Sequence, residues 1–173
     1  MNEELLPQFQ ISKSIPVTLM QRYLNKGHRL FVDNYYTTPA LALHLLDNDA
    51  KLVSKVRANR RNFPRDLANA ELSRGESKFS LSITGVLAVK FRALQDEANK
   101  QPKVVCLLST DHENKVAPST KADKDGEAVM KPTCVLDYNR CMDGVDLVDQ
   151  QLDSLLLRSQ THISLLAKGI SNQ

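Results

Sequence analysis

A strand, a helix and a second strand in close succession constrain the fold of this sequence most. Residues 28–32 have the composition of a short strand. Thr38 and Pro39 then suit the cap and the first turn of a helix, whose leucines recur up to Asp47. Residues 51–57 alternate polar and apolar side chains, which is typical of a half-buried strand. The pattern predicts a βαβ unit and therefore an α/β fold.

The segments on either side of this unit differ from it in character. Before it, apolar spacing predicts a helix from about Val17 to Lys26, which Gly27 ends. After it, residues 59–132 alternate short β-type runs with polar stretches, which indicates an antiparallel β-rich insertion. Its predicted strands are residues 79–83, 86–91 and 104–108. Residues 111–128 have almost no large apolar side chain, so we expect a mobile loop there.

The last part of the chain is expected to return to the core. Residues 133–137 suit a further strand, and apolar residues after Gly144 recur at helical spacing through Arg158. The chain of 173 residues is long enough for one ordinary domain. Its three cysteines form no CxxC pair, and its four histidines show no metal-ligand spacing, so neither predicts a zinc site.

Two acidic sites are the candidates for chemistry. Asp33 follows the first strand of the βαβ unit, and Asp146 and Asp149 begin the predicted C-terminal helix. Carboxylates in such places can converge on divalent cations, and Asp146 and Asp149, three residues apart, share one helix face. The alternative is that Asp33 only ends a strand and Asp146 only caps a helix. Spacing alone favours this alternative, because aspartates at helix starts are common.

A basic run provides the candidate surface for nucleic acid. Residues 51–65 contain no acidic side chain, and the residues we consider for phosphate contact are Lys55, Arg57, Arg60, Arg61 and Arg65. Basic runs are also commonly solvated surface, and composition leaves the two interpretations even. The net charge of the whole chain is only +3, so attraction to DNA depends on how the charges are distributed.

Five motifs resemble piggyBac-type transposases. Residues 30–39 (LFVDNYYTTP) are similar to the family's DNYYTS or DNWFTS segment, and residues 56–64 (VRANRRNFP) to VRANRRGFP. Residues 105–112 resemble LLST.H, residues 135–139 (VLDYN) resemble LDYN, and residues 142–150 (MDGVDLVDQ) resemble MGGVDRADQ. Five motifs in the right order are much more specific than any one short match.

The resemblance implies an α/β fold with a partial RNase H-like core, the βαβ unit plus the C-terminal helix, interrupted by the β-rich insertion. The implied division is core over 1–58, insertion over 59–132 and core again over 133–173. The implied activity is metal-dependent cut-and-paste transposition with Mg²⁺ as the cofactor. Asp33 and Asp146 correspond to the second and third catalytic aspartates and metal ligands, with Asp149 as an accessory ligand. The implied partners are DNA, as transposon ends or TTAA-type targets, and a second copy in a homodimer, with the nucleus as location.

The sequence departs from the family pattern in three places. The family's first catalytic aspartate precedes the DN motif, but the 32 residues before Asp33 contain only two acidic residues, both glutamates. Asp143 replaces the first glycine of GGVD, and the family's basic and aromatic continuation is missing after Arg158. We therefore expect a fragment, truncated at both ends, that is inactive alone. The alternative is a non-enzymatic domesticated module that binds DNA or protein.

Overall fold

The computed structural model describes residues 11–94, 103–122 and 126–142. The first half contains α1 (Ile11–Met20), β1 (Arg29–Val32), α2 (Pro39–Asp47), β2 (Lys51–Val56) and α3 (Arg65–Asn69). The second half contains β3 (Ser77–Leu81), β4 (Leu87–Arg92), β5 (Val104–Ser109), β6 (Val116–Ala122) and β7 (Ala128–Pro132). Residues 133–142 are helical. Within these ranges, no helix has the length and apolar character to cross a membrane.

Five strands form one mixed sheet in the order β1-β2-β5-β4-β3. β1 and β2 are parallel, with Arg29 opposite Lys51, and α2 connects them, so the predicted βαβ unit is confirmed. β5 pairs antiparallel with both β2 and β4, and β4 pairs antiparallel with β3. The predicted strands after residue 58 therefore exist and join the sheet that β1 begins. The division at residues 58 and 132 stays a prediction.

Side chains from α2 form the core on one face of this sheet. Leu41, Ala42 and Leu45 are fully buried and belong to one cluster with Leu52 of β2 and Leu108 of β5. Burial of each leucine side chain contributes about 2 kcal/mol relative to exposure. Thr38 caps α2, because its hydroxyl accepts a hydrogen bond from the Leu41 amide at 3.1 Å, as the sequence predicted.

The opposite face of the sheet is covered as well. Lys55 lies on this face, because side chains alternate along β2 and Leu52 faces the other way. Its ammonium lies 4.9 Å from the centre of the Tyr138 ring, and Tyr138 and Cys134 are each 1% exposed. Residues 133–138 therefore pack on the face that carries Lys55.

Two predicted segments were wrong in type. Residues 111–128 are not one loop, because β6 pairs antiparallel with β7. Small residues Ala117 and Ser119 alternate with exposed neighbours in β6, and backbone pairing, which needs no large apolar side chain, forms the hairpin. Residues 133–137 are helical rather than extended, since Cys134, Val135 and Tyr138 share one buried helix face. A short apolar run does not distinguish these two structures.

The first helix is displaced from its predicted position. It ends at Met20 rather than at Lys26, and residues 21–27 form turns. The amides of Asn25 and Gly27 donate to the carbonyls of Asn48 and Asp49, at 2.7 and 2.9 Å. Both residues have positive φ, 59° and 68°, which a helix does not allow. Tertiary backbone hydrogen bonds therefore override the helical periodicity here. The predicted helix after Gly144 lies outside the described residues.

Candidate nucleic-acid interface

The turn after β1 is fixed by hydrogen bonds on its inner side. The carbonyl of Asp33 accepts from the Tyr36 amide at 3.2 Å and from the Thr37 hydroxyl at 3.0 Å. Thr37 is fully buried, and its hydroxyl also bonds the Ser54 hydroxyl of β2. The Ser54 hydroxyl also lies 2.8 Å from the Val32 carbonyl, and its single proton is shared between this carbonyl and Thr37. The carboxyl end of β1 is thus tied to its parallel neighbour, and the Asp33 backbone is held in place.

The carboxylate of Asp33, unlike its carbonyl, is free. It is exposed, and among the described residues no donor or cation contacts it. It lies on the wall of a cleft of about 1010 Å³. A carboxylate without a protein partner that borders open space can take a divalent cation without first losing a protein contact. The residues present therefore fit a metal ligand at this position.

The cleft beside Asp33 is predominantly basic. Its described lining carries two carboxylates, Asp33 and Glu71, and five cations, Lys55, Arg57, Lys90, Arg92 and Lys103. Such a concentration of one sign of charge exceeds what the modest net charge of the chain suggests. Clefts lined by one charge sign focus the electrostatic field and attract ligands of the opposite sign. The positive charge of the cleft therefore favours the binding of a polyanion.

The five cations of the cleft are not equally available. Lys90 donates to the carbonyls of Ala68 and Ala70, both at 2.7 Å, and Arg92 donates to the Leu72 carbonyl at 2.8 Å. These contacts hold residues 68–72 against β4 and so build one wall of the cleft. Arg57 and Lys103 are exposed, and no described residue pairs with either. These two cations can contact a ligand without first breaking a hydrogen bond or an ion pair within the described part of the chain.

A second charged cluster lies outside the cleft, around Arg29 of β1. Its guanidinium pairs with Asp111 at 2.6 Å and with Asp137 of the helical residues 133–142. His112 lies 3.4 Å from the Asp137 carboxylate and bonds the buried Ser109 hydroxyl through Nδ1 at 2.9 Å. Burial, and to a lesser extent Arg29, lowers the pKa of His112, although the carboxylates of Asp111 and Asp137 oppose the shift.

The acidic members of this cluster resemble a metal site only in spacing. One potential ligand atom from each of Asp111, His112 and Asp137 lies within 4.8 Å of the others. The guanidinium of Arg29, however, already contacts both carboxylates and supplies the compensating positive charge. A metal ion would have to displace it. We therefore interpret the cluster as an ion-pair network that joins β1, the end of β5 and the helical residues 133–138.

Comparison with known proteins agrees with the motifs. The family model described as "Transposase IS4" matches residues 1–165. The chain belongs to this transposase family. A solved structure titled "Cryo-EM structure of piggyBac transposase synaptic complex with hairpin DNA" matches with a TM-score of 0.64 and 24% identity. The match covers 88% of this chain and 28% of the other, so this chain spans well under a third of that transposase.

These matches confirm the resemblance to piggyBac-type transposases and the α/β fold with an RNase H-like core. The family also implies use of a divalent metal.

Of the predicted basic contacts, Lys55 and Arg57 line the cleft, and Arg61 and Arg65 are exposed outside its lining. Arg60 donates to the Asn34 carbonyl at 2.7 Å. Asp146 and Asp149 lie outside the described residues.

The sequence missed several residues that the fold brings together. Lys90, Arg92 and Lys103 join the cleft only because β5 lies beside β2 and β4 lies beside β5, an order that no local pattern reveals. Arg29 and Asp137 are 108 positions apart, so no spacing rule pairs them. His112 and Asp137 did lie in the recognised motifs, which was the one available indication.

Proposed function

We propose that the cleft beside Asp33 binds a DNA backbone and that Asp33 holds a divalent metal ion, Mg²⁺, against it. The observation that carries this proposal is the free Asp33 carboxylate on the wall of a cleft lined by five cations. Arg57 and Lys103 neutralise phosphates, Lys55 adds positive charge to the lining, and such contacts hold DNA without reading its sequence. The fold match to a transposase solved with hairpin DNA supports DNA as the polyanion.

Asp146 and Asp149 are the further metal ligands in this proposal, as the motifs imply. A bound divalent metal supplies activation of the attacking oxygen and charge stabilisation of the leaving oxygen in phosphodiester chemistry. The side chains of the chain supply positioning: Asp33 fixes the metal and the cations of the cleft hold the phosphate beside it. We place this function in the nucleus, with transposon ends or TTAA-type targets as DNA and a homodimer as the assembly.

We further propose that this chain alone cuts little or no DNA. The function is that of a transposase-derived catalytic domain, and in a polypeptide of these 173 residues the motifs assign only Asp33 and Asp146 as catalytic metal ligands. A polypeptide with two of the family's three carboxylates should cut DNA far more slowly, because this chemistry depends on positioning and charge neutralisation. A nicking assay on duplex DNA with Mg²⁺ tests this point. Nicking that both Asp33→Ala and Asp146→Ala abolish would contradict the proposed inactivity.

DNA affinity as a function of salt tests the binding part of the proposal. The logarithm of the association constant should fall linearly with the logarithm of salt concentration, and Arg57→Ala and Lys103→Ala should each reduce the slope by about one. Arg74→Ala is the matched control, since Arg74 is exposed and does not line the cleft. Binding that is absent, independent of salt, or equally affected by the control would refute the cleft as the DNA site.

A further inference from the structure

We propose that Arg60 is a positioning residue for the metal site, which holds the turn that carries Asp33, and not one of the phosphate contacts. The inference rests on the proposed function of Asp33. An arginine in a basic run is ordinarily interpreted as a phosphate contact, and Arg60 has a different role in this proposal.

The guanidinium of Arg60 is committed to the turn after β1. Its Nη2 donates to the carbonyl of Asn34, the residue next to Asp33, at 2.7 Å across 26 positions of sequence. The Arg60 backbone is itself anchored, because its carbonyl accepts from the amide of Phe63 at 3.0 Å. Phe63 is 5% exposed and belongs to the core cluster. The Arg60 side chain therefore links the turn to a backbone position that is anchored in the core.

The remaining edge of the guanidinium is poorly placed for a phosphate. Arginine binds phosphate best through two parallel N–H groups. Nη2 of Arg60 is already bound to Asn34, and Nε is buried with no hydrogen-bond partner in the described part of the chain. The Nε–Nη2 edge of the guanidinium is therefore not available for a bidentate phosphate contact. Bidentate contact of a phosphate with this Nε–Nη2 edge would require breaking the bond to Asn34.

Arg61 provides the matched contrast. It is the next residue, it carries the same charge, and it is exposed with no partner among the described residues. Removing Arg61 changes the local charge by the same amount as removing Arg60 but leaves the turn untouched. A difference between the two variants therefore reports on the hydrogen bond and not on the charge.

The expected consequence is weaker metal binding when Arg60 is removed. The inner side of the turn keeps its bonds to Tyr36 and Thr37, but the Asn34 carbonyl loses its restraint, and the Asp33 carboxylate samples more positions. Loss of a partner that orients a metal ligand typically weakens metal affinity by about 10- to 100-fold. Charge alone predicts the opposite sign, because removal of a cation favours a divalent metal.

Mn²⁺ titration followed by amide NMR tests the inference, because paramagnetic broadening reports where the metal binds. In the wild type, signals from residues 33–36 should broaden selectively, and Asp33→Asn should abolish the effect. Arg60→Ala should raise the Mn²⁺ concentration at half-broadening by about tenfold or more, while Arg61→Ala should not raise it. Arg60→Lys, which retains a charged donor group, should fall between them and serves if the alanine variant does not fold.

The outcomes separate the inference from the proposed function. Absence of selective broadening in the wild type would overturn both. Broadening in the wild type with an unchanged or lower midpoint in Arg60→Ala would overturn the positioning role and leave the metal site intact. The salt slope of DNA binding completes the test: it should be unchanged in Arg60→Ala, and a reduction by about one would make Arg60 a phosphate contact instead.

Discussion

Replacement of Arg29 by alanine should destabilise the protein in a pH-dependent way. The side chains of Arg29, Asp111 and Asp137 are 35%, 26% and 12% exposed. Breaking a fully buried ion pair costs about 3–5 kcal/mol, and breaking an exposed one costs about 0–1 kcal/mol. The intermediate exposure of this network gives about 2 kcal/mol, a decrease in Tm of roughly 4–8 °C for a chain of this size. This value applies at about pH 8, where His112, whose pKa is lowered from the ordinary 6.5, is neutral.

The loss should become smaller in acid because of His112. Burial and Arg29 lower its pKa from the ordinary 6.5, while both carboxylates raise it. In the wild type, the neutral form is therefore favoured, and its contribution to stability is complete above about pH 6.5 and declines as the pH falls. Without Arg29, one of the lowering influences disappears and the pKa of His112 rises. Protonation of the imidazole is then easier than in the wild type, and the protonated form compensates the two carboxylates, so part of the loss is recovered as the pH falls.

Urea denaturation followed by circular dichroism at about pH 8 and about pH 5.5 measures this effect. The difference between wild type and Arg29→Ala should shrink in acid, and adding His112→Gln to both proteins should remove the pH dependence. Arg61→Ala is the control and should change the free energy of unfolding by less than about 0.5 kcal/mol at either pH. A loss that is constant with pH, or larger in acid, would refute the proposed exchange of Arg29 for protonated His112.

Two further substitutions test the core and the helix cap. Thr38→Ala should cost about 1 kcal/mol in urea denaturation, because the Leu41 amide loses its acceptor, and Thr38→Ser should retain most of that energy. An equal loss in both variants would argue against the cap. Leu45→Ala should cost about 2–5 kcal/mol because Leu45 is fully buried, whereas Leu43→Ala, at a position 37% exposed, should cost much less. Similar losses at both positions would contradict the orientation of α2.

Local sequence patterns were sufficient to predict the βαβ unit. Thr38, Pro39 and the leucines of α2 determine a helix start and a buried stripe without help from distant residues, and Asp33 follows from the strand before it. Sequence alone therefore placed Asp33 at a strand end, although the free state of its carboxylate became evident only from the surrounding contacts.

Local sequence patterns did not predict the features that depend on contacts between residues far apart in the sequence. The end of α1 is set by backbone bonds from Asn25 and Gly27 to the α2–β2 turn, and the hairpin of β6 and β7 depends on pairing between polar strands. The two arginines at 60 and 61 look equivalent in sequence, yet only Arg60 contacts Asn34. Long-range hydrogen bonds of this kind produce no periodic pattern in the sequence.

The effect of a divalent metal on DNA affinity tests whether Asp33 holds a metal ion against the DNA backbone. Duplex DNA binding would be measured for wild type and Asp33→Asn, first with a chelator and then with saturating Mg²⁺. With the chelator, Asp33→Asn should bind about two- to threefold more tightly, because the cleft loses a negative charge. With Mg²⁺, only the wild type should gain affinity, so the order of the two proteins reverses. An equal gain from Mg²⁺ in both proteins would contradict a metal held by Asp33 against the DNA backbone.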